Sequence, residues 1–216
     1  LSISTGYLDQ DRNIQPLDSK TVNDMMGLVE WYSTKGMRVL GITHKYLPSG
    51  KTEFTEADEC DLIIAGFLVF TDPVKPTAKK AIEDMREYGI TVKVLTGDNE
   101  YVSRHVCDQI GIPTENILVG PQIDGMSDDE LKEVVENTSI FARLSPDNKS
   151  RVVLALKANG HTVGVMGDGI NDVVAMKNAD VSISVDTGTD IAKETASMIL
   201  LEKALGVLKT GAIEGR

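Results

Sequence analysis

Three stretches of this 216-residue chain carry side chains whose types and spacing suit phosphate and metal chemistry: Asp72-Pro73-Val74-Lys75, Thr96-Gly97-Asp98-Asn99 and Gly167-Asp168-Gly169-Ile170-Asn171-Asp172. Each follows an apolar run and each bears carboxylates. Asp168 stands between two glycines, which permit close backbone approach to a ligand, and Asn171 and Asp172 add two more oxygen-bearing side chains. Carboxylates gathered at one sheet edge repel one another unless a cation lies among them, and hard oxygen ligands suit Mg²⁺ holding a phosphate. Lys149 opens the helical pattern leading into the strand before Gly167, where an ammonium can reach a bound phosphate and offset its charge. Taken alone, several of these signals are ordinary. Thr-Gly-Asp is common turn sequence, Asp72-Pro73 reads as a strand exit before a helix start at Pro76, and most lysines on amphipathic helices are merely solvated. The segment from Met166 to Asp172 is the specific one.

Such residues need strands that stop where they begin. After a polar, turn-rich opening, with Asp9-Gln10-Asp11-Arg12-Asn13 as a hairpin tip, Val22, Met25, Met26, Val29 and Tyr32 predict a helix over Ser19 to Lys35, capped by Asp18 or Ser19 and ended by Gly36. Strands are expected at Met37 to Tyr46 and Leu62 to Phe70. Beyond Asp72 helices and strands alternate. Helices are predicted over Thr77 to Tyr88, Glu100 to Ile110, Ser127 to Asn137 and Pro146 to Asn159. Strands are predicted over Ile90 to Leu95, Ile117 to Val119, Ser139 to Ala142, Thr162 to Met166 and, last, Val181 to Val185, with helical sequence thereafter. Apolar strands separated by amphipathic helices imply an α/β fold with a parallel sheet covered on both faces and reactive groups at its carboxyl edge. A boundary near Phe70 separates a domain over residues 1–69 from one over 70–216.

Composition narrows the classes. Thirty-three acidic against 22 basic residues, a formal charge of −11, argue against a nucleic-acid or anionic-membrane surface, since both reward clustered Lys and Arg, yet leave room for a nucleotide with its metal. The longest apolar run, Leu62 to Phe70, falls far short of the roughly 20 residues of a membrane span, so the chain as given is expected to be soluble. Cys60 and Cys107 lack metal-site spacing and read as free thiols.

Thr96-Gly97-Asp98, the stretch Phe141-Ala142-Arg143-Leu144-Ser145-Pro146-Asp147-Asn148-Lys149, and Gly167 to Asp172, in this order and at these intervals, resemble the phosphorylation domain of P-type ATPases, within the haloacid dehalogenase-like superfamily. Gly36-Met37-Arg38-Val39-Leu40 is similar to the end of that family's nucleotide-binding domain, and Ile199-Leu200-Leu201-Glu202-Lys203 to its exit toward the membrane stalk. The flavour is that of bacterial magnesium-transporting pumps. The resemblance implies a Rossmann-type parallel sheet joined to a partial α+β nucleotide-binding domain, with Mg²⁺ and ATP as cofactors. By position it implies that Asp168 coordinates Mg²⁺, that Asp172 and Asn171 hold that site, that Thr96, with Gly97, and Lys149 bind the transferred phosphoryl group, that Asp98 and Asp72 shape the pocket, and that Arg38 touches the nucleotide phosphates. Implied partners are ATP, the transported cation and the rest of the same pump at a cell membrane, this part lying on its cytoplasmic side. Self-association of the fragment is a further expectation.

The chain departs from the family pattern in three places. Val173-Val174-Ala175-Met176 stands where many relatives carry Ala-Pro-Ala-Leu, and Val74-Lys75 where many have Pro-Arg. No Asp-Lys-Thr-Gly-Thr, the family's nucleophile motif, occurs, and no aspartate followed by such a pattern is expected to close a buried strand. The chain therefore reads as a piece of a pump, itself inactive, with a gap where the nucleophile-bearing strand belongs. The rival readings are a calcium- or other cation-transporting ATPase, a soluble haloacid dehalogenase-like phosphatase, and a non-catalytic nucleotide-binding or regulatory module.

Overall fold

A computed structural model describes residues 1–47, 49–53, 55–201, 206–208 and 211. Glu202 and Lys203 of the stalk-like stretch lie outside the described residues. The chain divides into two compact units, Leu1–Asp72 and Pro73–Arg216.

In the first unit, β1 (Ser4–Leu8) and β2 (Ile14–Pro16) form an antiparallel hairpin. Asp9 closes the turn by accepting the backbone N–H groups of Asp11 and Asn13. Helix α1 (Ser19–Thr34) starts where Asp18 Oδ1 accepts the Thr21 N–H at 2.7 Å and ends before Gly36, whose φ of 76° a side chain would resist. Strands β3 (Met37–His44) and β4 (Leu62–Thr71) pair antiparallel, and β1 runs parallel to β4, giving the order β2-β1-β4-β3.

The second unit alternates helix and strand. Its elements are α2 (Ala78–Glu87), β5 (Val94–Leu95), α3 (Glu100–Ile110), β6 (Ile117–Val119), α4 (Gly120–Asp124), α5 (Asp128–Val135), β7 (Ile140–Ala142), α6 (Pro146–Ala158), β8 (Gly164–Met166), α7 (Val173–Asn178), β9 (Val181–Val185), α8 (Asp190–Thr195) and β10 (Met198–Leu200). All its strand pairs are parallel, but they form two three-stranded sheets, β5-β7-β6 and β10-β9-β8. Strand β7 is buried along its whole length. Its alternation sends Ile140 into a cluster with Ala78, Ile82, Met85, Cys107 and Ile110, and Phe141 into another with Ile123, Leu131, Val135, Val152 and Leu156. Helices α2 and α3 thus cover one face and α5 and α6 the other, the layering that continuous apolar strands require.

Two expected strands are shorter than predicted. Ile90 to Leu95 contracts to β5 and Thr162 to Met166 to β8. Among the described residues each is paired on one side only, by β7 and by β9 respectively, so no second ladder extends it. The tail after Val185 is not helical throughout. Met198–Leu200 adds a strand beside β9, fastened at its start by reciprocal Ser182–Ser197 hydrogen bonds, an apolar triplet satisfying a sheet edge rather than a helix face.

Candidate functional site

The loop after β8 owes its shape to its glycines. A Cβ on Gly167 would meet the Asp172 Cβ at 2.4 Å, so only glycine lets Asp172 fold back over the strand end. There Asp172 Oδ1 accepts from Lys149 Nζ at 2.6 Å, and Oδ2 from the Gly169 N–H at 3.4 Å. Lys149 is buried, its side chain 11% exposed, because α6 begins with Pro146 behind the Ser145 cap and carries position 149 one turn inward. A nearly dehydrated ammonium needs a counter-charge, and Asp172 is it. Asp168 is exposed, and its carboxylate makes no hydrogen bond or ion pair among the described residues. Asn171 is exposed beside it.

Thr96 closes β5. Its N–H donates to the Phe141 carbonyl, its carbonyl accepts from the Leu144 N–H at 3.0 Å, and its hydroxyl oxygen accepts the Asp98 N–H at 3.1 Å. That last bond orients the hydroxyl and leaves its proton to be donated elsewhere. Gly97 is exposed, and Asn99 caps α3 by accepting the Val102 N–H. The structure therefore joins Lys149 to Asp172 directly and ties Thr96 and Asp98 to the loop that launches α6. Arg38, on β3, and Asp72 belong to the first unit.

Sequence reasoning missed two features here. Asp186-Thr187-Gly188-Thr189 does follow a strand, β9, in a near match to the nucleophile pattern that lacks its lysine. Its part in the fold is support: the Thr189 N–H donates to the Asp168 carbonyl at 2.8 Å, and a Cβ on Gly188 would meet Ser184 Oγ at 2.8 Å and the Asp168 carbonyl at 3.3 Å. Thr-Gly-Thr after an apolar strand was the available signal. The second is the Arg143–Glu100 pair, with Nε 2.7 Å from Oε2 as an ion pair and an Nη2–H donating to Oε1 at 3.1 Å, for which residue spacing offers no signal.

No three His, Cys, Asp or Glu side chains cluster closely enough among the described residues to hold a metal by themselves. The donor set nevertheless fits Mg²⁺, which keeps several waters and takes one or two carboxylates with substrate phosphate: Asp168 offers an exposed, unengaged carboxylate at a strand end.

A family model for haloacid dehalogenase-like hydrolases matches residues 7–180. Magnesium-transporting ATPase, P-type 1, of Escherichia coli (strain K12) is 45% identical over 203 residues, 94% of this chain and 23% of that protein. Calcium-transporting ATPase 1 of Saccharomyces cerevisiae is 33% identical over 225 residues, 100% of this chain and 23% of that protein. Calcium-transporting ATPase 1 of Lactococcus lactis is 34% identical over 194 residues, 89% of the chain and 22% of that protein. The chain spans under a quarter of the length of these relatives. With the parallel α/β layers and the loops at their carboxyl ends, the match over most of its length establishes that this chain belongs to the haloacid dehalogenase-like hydrolases.

Proposed function

We propose that this chain is the part of an ATP-driven cation pump that binds Mg²⁺ and the phosphoryl group during formation and hydrolysis of an aspartyl phosphate. The observation that carries the reading is the contact at 2.6 Å between the buried Lys149 of α6 and the part-buried Asp172, which shares its loop with the unengaged carboxylate of Asp168. Bound Mg²⁺ would draw charge from the phosphoryl oxygens. The chain's own residues do the rest. Asp168 is the metal ligand, Asp172 orients the Lys149 ammonium, Lys149 offsets charge on the transferred group, and the Thr96 hydroxyl donates to a phosphoryl oxygen. In this reading Asn171 holds the loop, Asp98 and Asp72 shape the pocket, Gly97 leaves room for the ligand, and Arg38 contacts nucleotide phosphates from a partial nucleotide-binding domain over residues 1–69. The attacking carboxylate comes from a strand that this chain lacks and that fits between β5 and β8, each unpaired on one side among the described residues. Those open edges also favour self-association of the isolated chain.

Transport of Mg²⁺ is favoured over Ca²⁺ by the 45% identity to a magnesium pump against 33% and 34% to calcium pumps. The pump would act at a cell membrane with this part on the cytoplasmic side, and no described helix is long and apolar enough to cross a membrane.

Radioactive γ-phosphate from ATP tests the reading. The chain alone should remain unlabelled. Joined in one polypeptide to a segment bearing Asp-Lys-Thr-Gly-Thr it should acquire Mg²⁺-dependent label, and Asp168→Asn should remove most of it. An acid-stable, hydroxylamine-sensitive phosphoprotein formed by the 216 residues alone would overturn the missing-nucleophile reading, and Asp186→Asn would then identify the residue used.

A further inference from the structure

We infer that Glu100 and Arg143 are a positioning pair that holds the Thr96 turn in register with the helix carrying Lys149. The inference rests on the phosphoryl-site reading of Thr96 and Lys149, and it assigns function to two residues that touch neither phosphate nor metal in that reading.

The geometry is unusual in three respects. Arg143 has a φ of 51°, in the left-handed region that a branched-out side chain enters at a cost. Its carbonyl lies so close to Gly120 that a Cβ there would stand 2.3 Å away, so the kink is accommodated by a glycine at the start of α4. Its guanidinium donates one hydrogen bond to Glu100 Oε1 at 3.1 Å and stands 2.7 Å from Oε2, a buried oxygen that accepts no hydrogen bond and so depends on the Arg143 charge.

Strain of this kind persists only where the surroundings hold it. The kinked backbone delivers the Arg143 N–H to the Asp98 carbonyl at 2.7 Å and the Leu144 N–H to the Thr96 carbonyl at 3.0 Å. Immediately after it, Ser145 caps α6, with Asn148 Oδ1 accepting the Ser145 N–H and Asn148 Nδ2 donating to Asp124 at 2.6 Å. Glu100 lies in the first turn of α3, directly after Asn99 caps that helix. The ion pair therefore links the start of α3 to the start of α6, with the Thr96 turn on one side of the link and Lys149 on the other. A shift of the turn relative to α6 would separate the two groups that must meet the same phosphoryl oxygens, and displacements of that size impair catalysis steeply.

The test uses the full chain with Glu100→Gln, Arg143→Gln, and the charge-reversed double variant Glu100→Arg with Arg143→Glu. Amide hydrogen exchange at Arg143 and Leu144 should quicken about three- to tenfold in each single variant, the range for a partly exposed ion pair. The centres of α3 and α5 should stay at their original rates. Affinity for inorganic phosphate with Mg²⁺, read from the Thr96 and Gly97 amide resonances, should weaken by a similar factor and recover in the double variant. Unchanged exchange at Arg143 and Leu144 in both single variants would overturn the inference, as would a double variant whose losses simply add. If the unsubstituted chain shows no phosphate binding, the phosphoryl-site reading falls, while exchange still decides whether the pair holds the two turns together.

Discussion

The two units are built from equally regular elements and differ in what those elements enclose. Among the described residues, every buried apolar side chain except Ile64 belongs to the second unit. There β7 is sandwiched between helices, and Phe141, Ile123 and Leu131 are fully buried. In the first unit the cross-strand pairs Leu40–Leu68 and Arg38–Phe70 lie on one face of β3 and β4, and Leu40, Leu68 and Phe70 are all exposed. A cleft of about 310 Å³, half open to solvent and lined by Met26, Val29, Val39, Ile64 and Phe67, lies in that unit. Good helices and strands thus form without a closed core, but they do not make one. The Thr96 loop springs from β5, paired to the buried strand β7, whereas the Asp168 loop follows the more exposed β8 and Asp72 follows β4 of the first unit.

The sharpest way to break this comparison is to remove one large side chain from each unit. Phe141→Ala should destabilise the second unit by about 3–5 kcal/mol, while Leu40→Ala should change stability by no more than about 0.5 kcal/mol. Cys107 supplies the measurement: burial pushes its thiol up to about 11 and it is fully enclosed in the second unit, whereas Cys60 is exposed. At pH 8 alkylation should label Cys60 at once and Cys107 only through opening, faster in Phe141→Ala and unchanged in Leu40→Ala. Equal acceleration by both substitutions would show that the first unit is not the looser one.

A smaller effect is expected at the site. Lys149→Met should cost about 2 kcal/mol, because it leaves the Asp172 carboxylate, 20% exposed, without its cation. Adding Asp172→Asn should recover much of that loss in chemical denaturation, since the remaining cost is that of an uncompensated charge. A double variant no more stable than Lys149→Met would remove the pair from the second unit's support.

The smallest expected effect is on pH dependence. Asp180 lies below the usual carboxylate range, because its carboxylate accepts the Val163 N–H at 2.8 Å and pairs with Lys157 at 2.9 Å. A folded value below the unfolded one means stability that is present above the unfolded pKa of about 4 and lost as pH falls through the lowered folded value. Melting temperatures between pH 7 and pH 3 should therefore fall less steeply for Asp180→Asn than for the unsubstituted chain. Identical slopes would show that this link between α6 and the start of β9 carries no acid sensitivity.

Periodicity and caps were legible because they are local. Helix α3 begins and ends where Asn99 and Gly111 place its caps, and β6 and β9 match their apolar runs. The glycines around Asp168 marked a place of close backbone approach, and at Gly167 the structure shows such closeness to Asp172 of the same loop. Less legible were the lengths of β5 and β8, because strand length depends on a neighbouring ladder that no segment encodes by itself. Strand β10 was read as helix for the same reason.

The sequence by itself determined the type of the strongly periodic stretches, the caps that bound them and which residue types stand at the strand ends, since these follow from neighbours within a few positions. Only the tertiary structure decided that Lys149 meets Asp172 across 23 residues, that Arg143 grips Glu100 across 43, and that Thr189 supports Asp168. Contacts so far apart in the chain are set by which core faces pack together, and that packing is cooperative rather than written in any one segment.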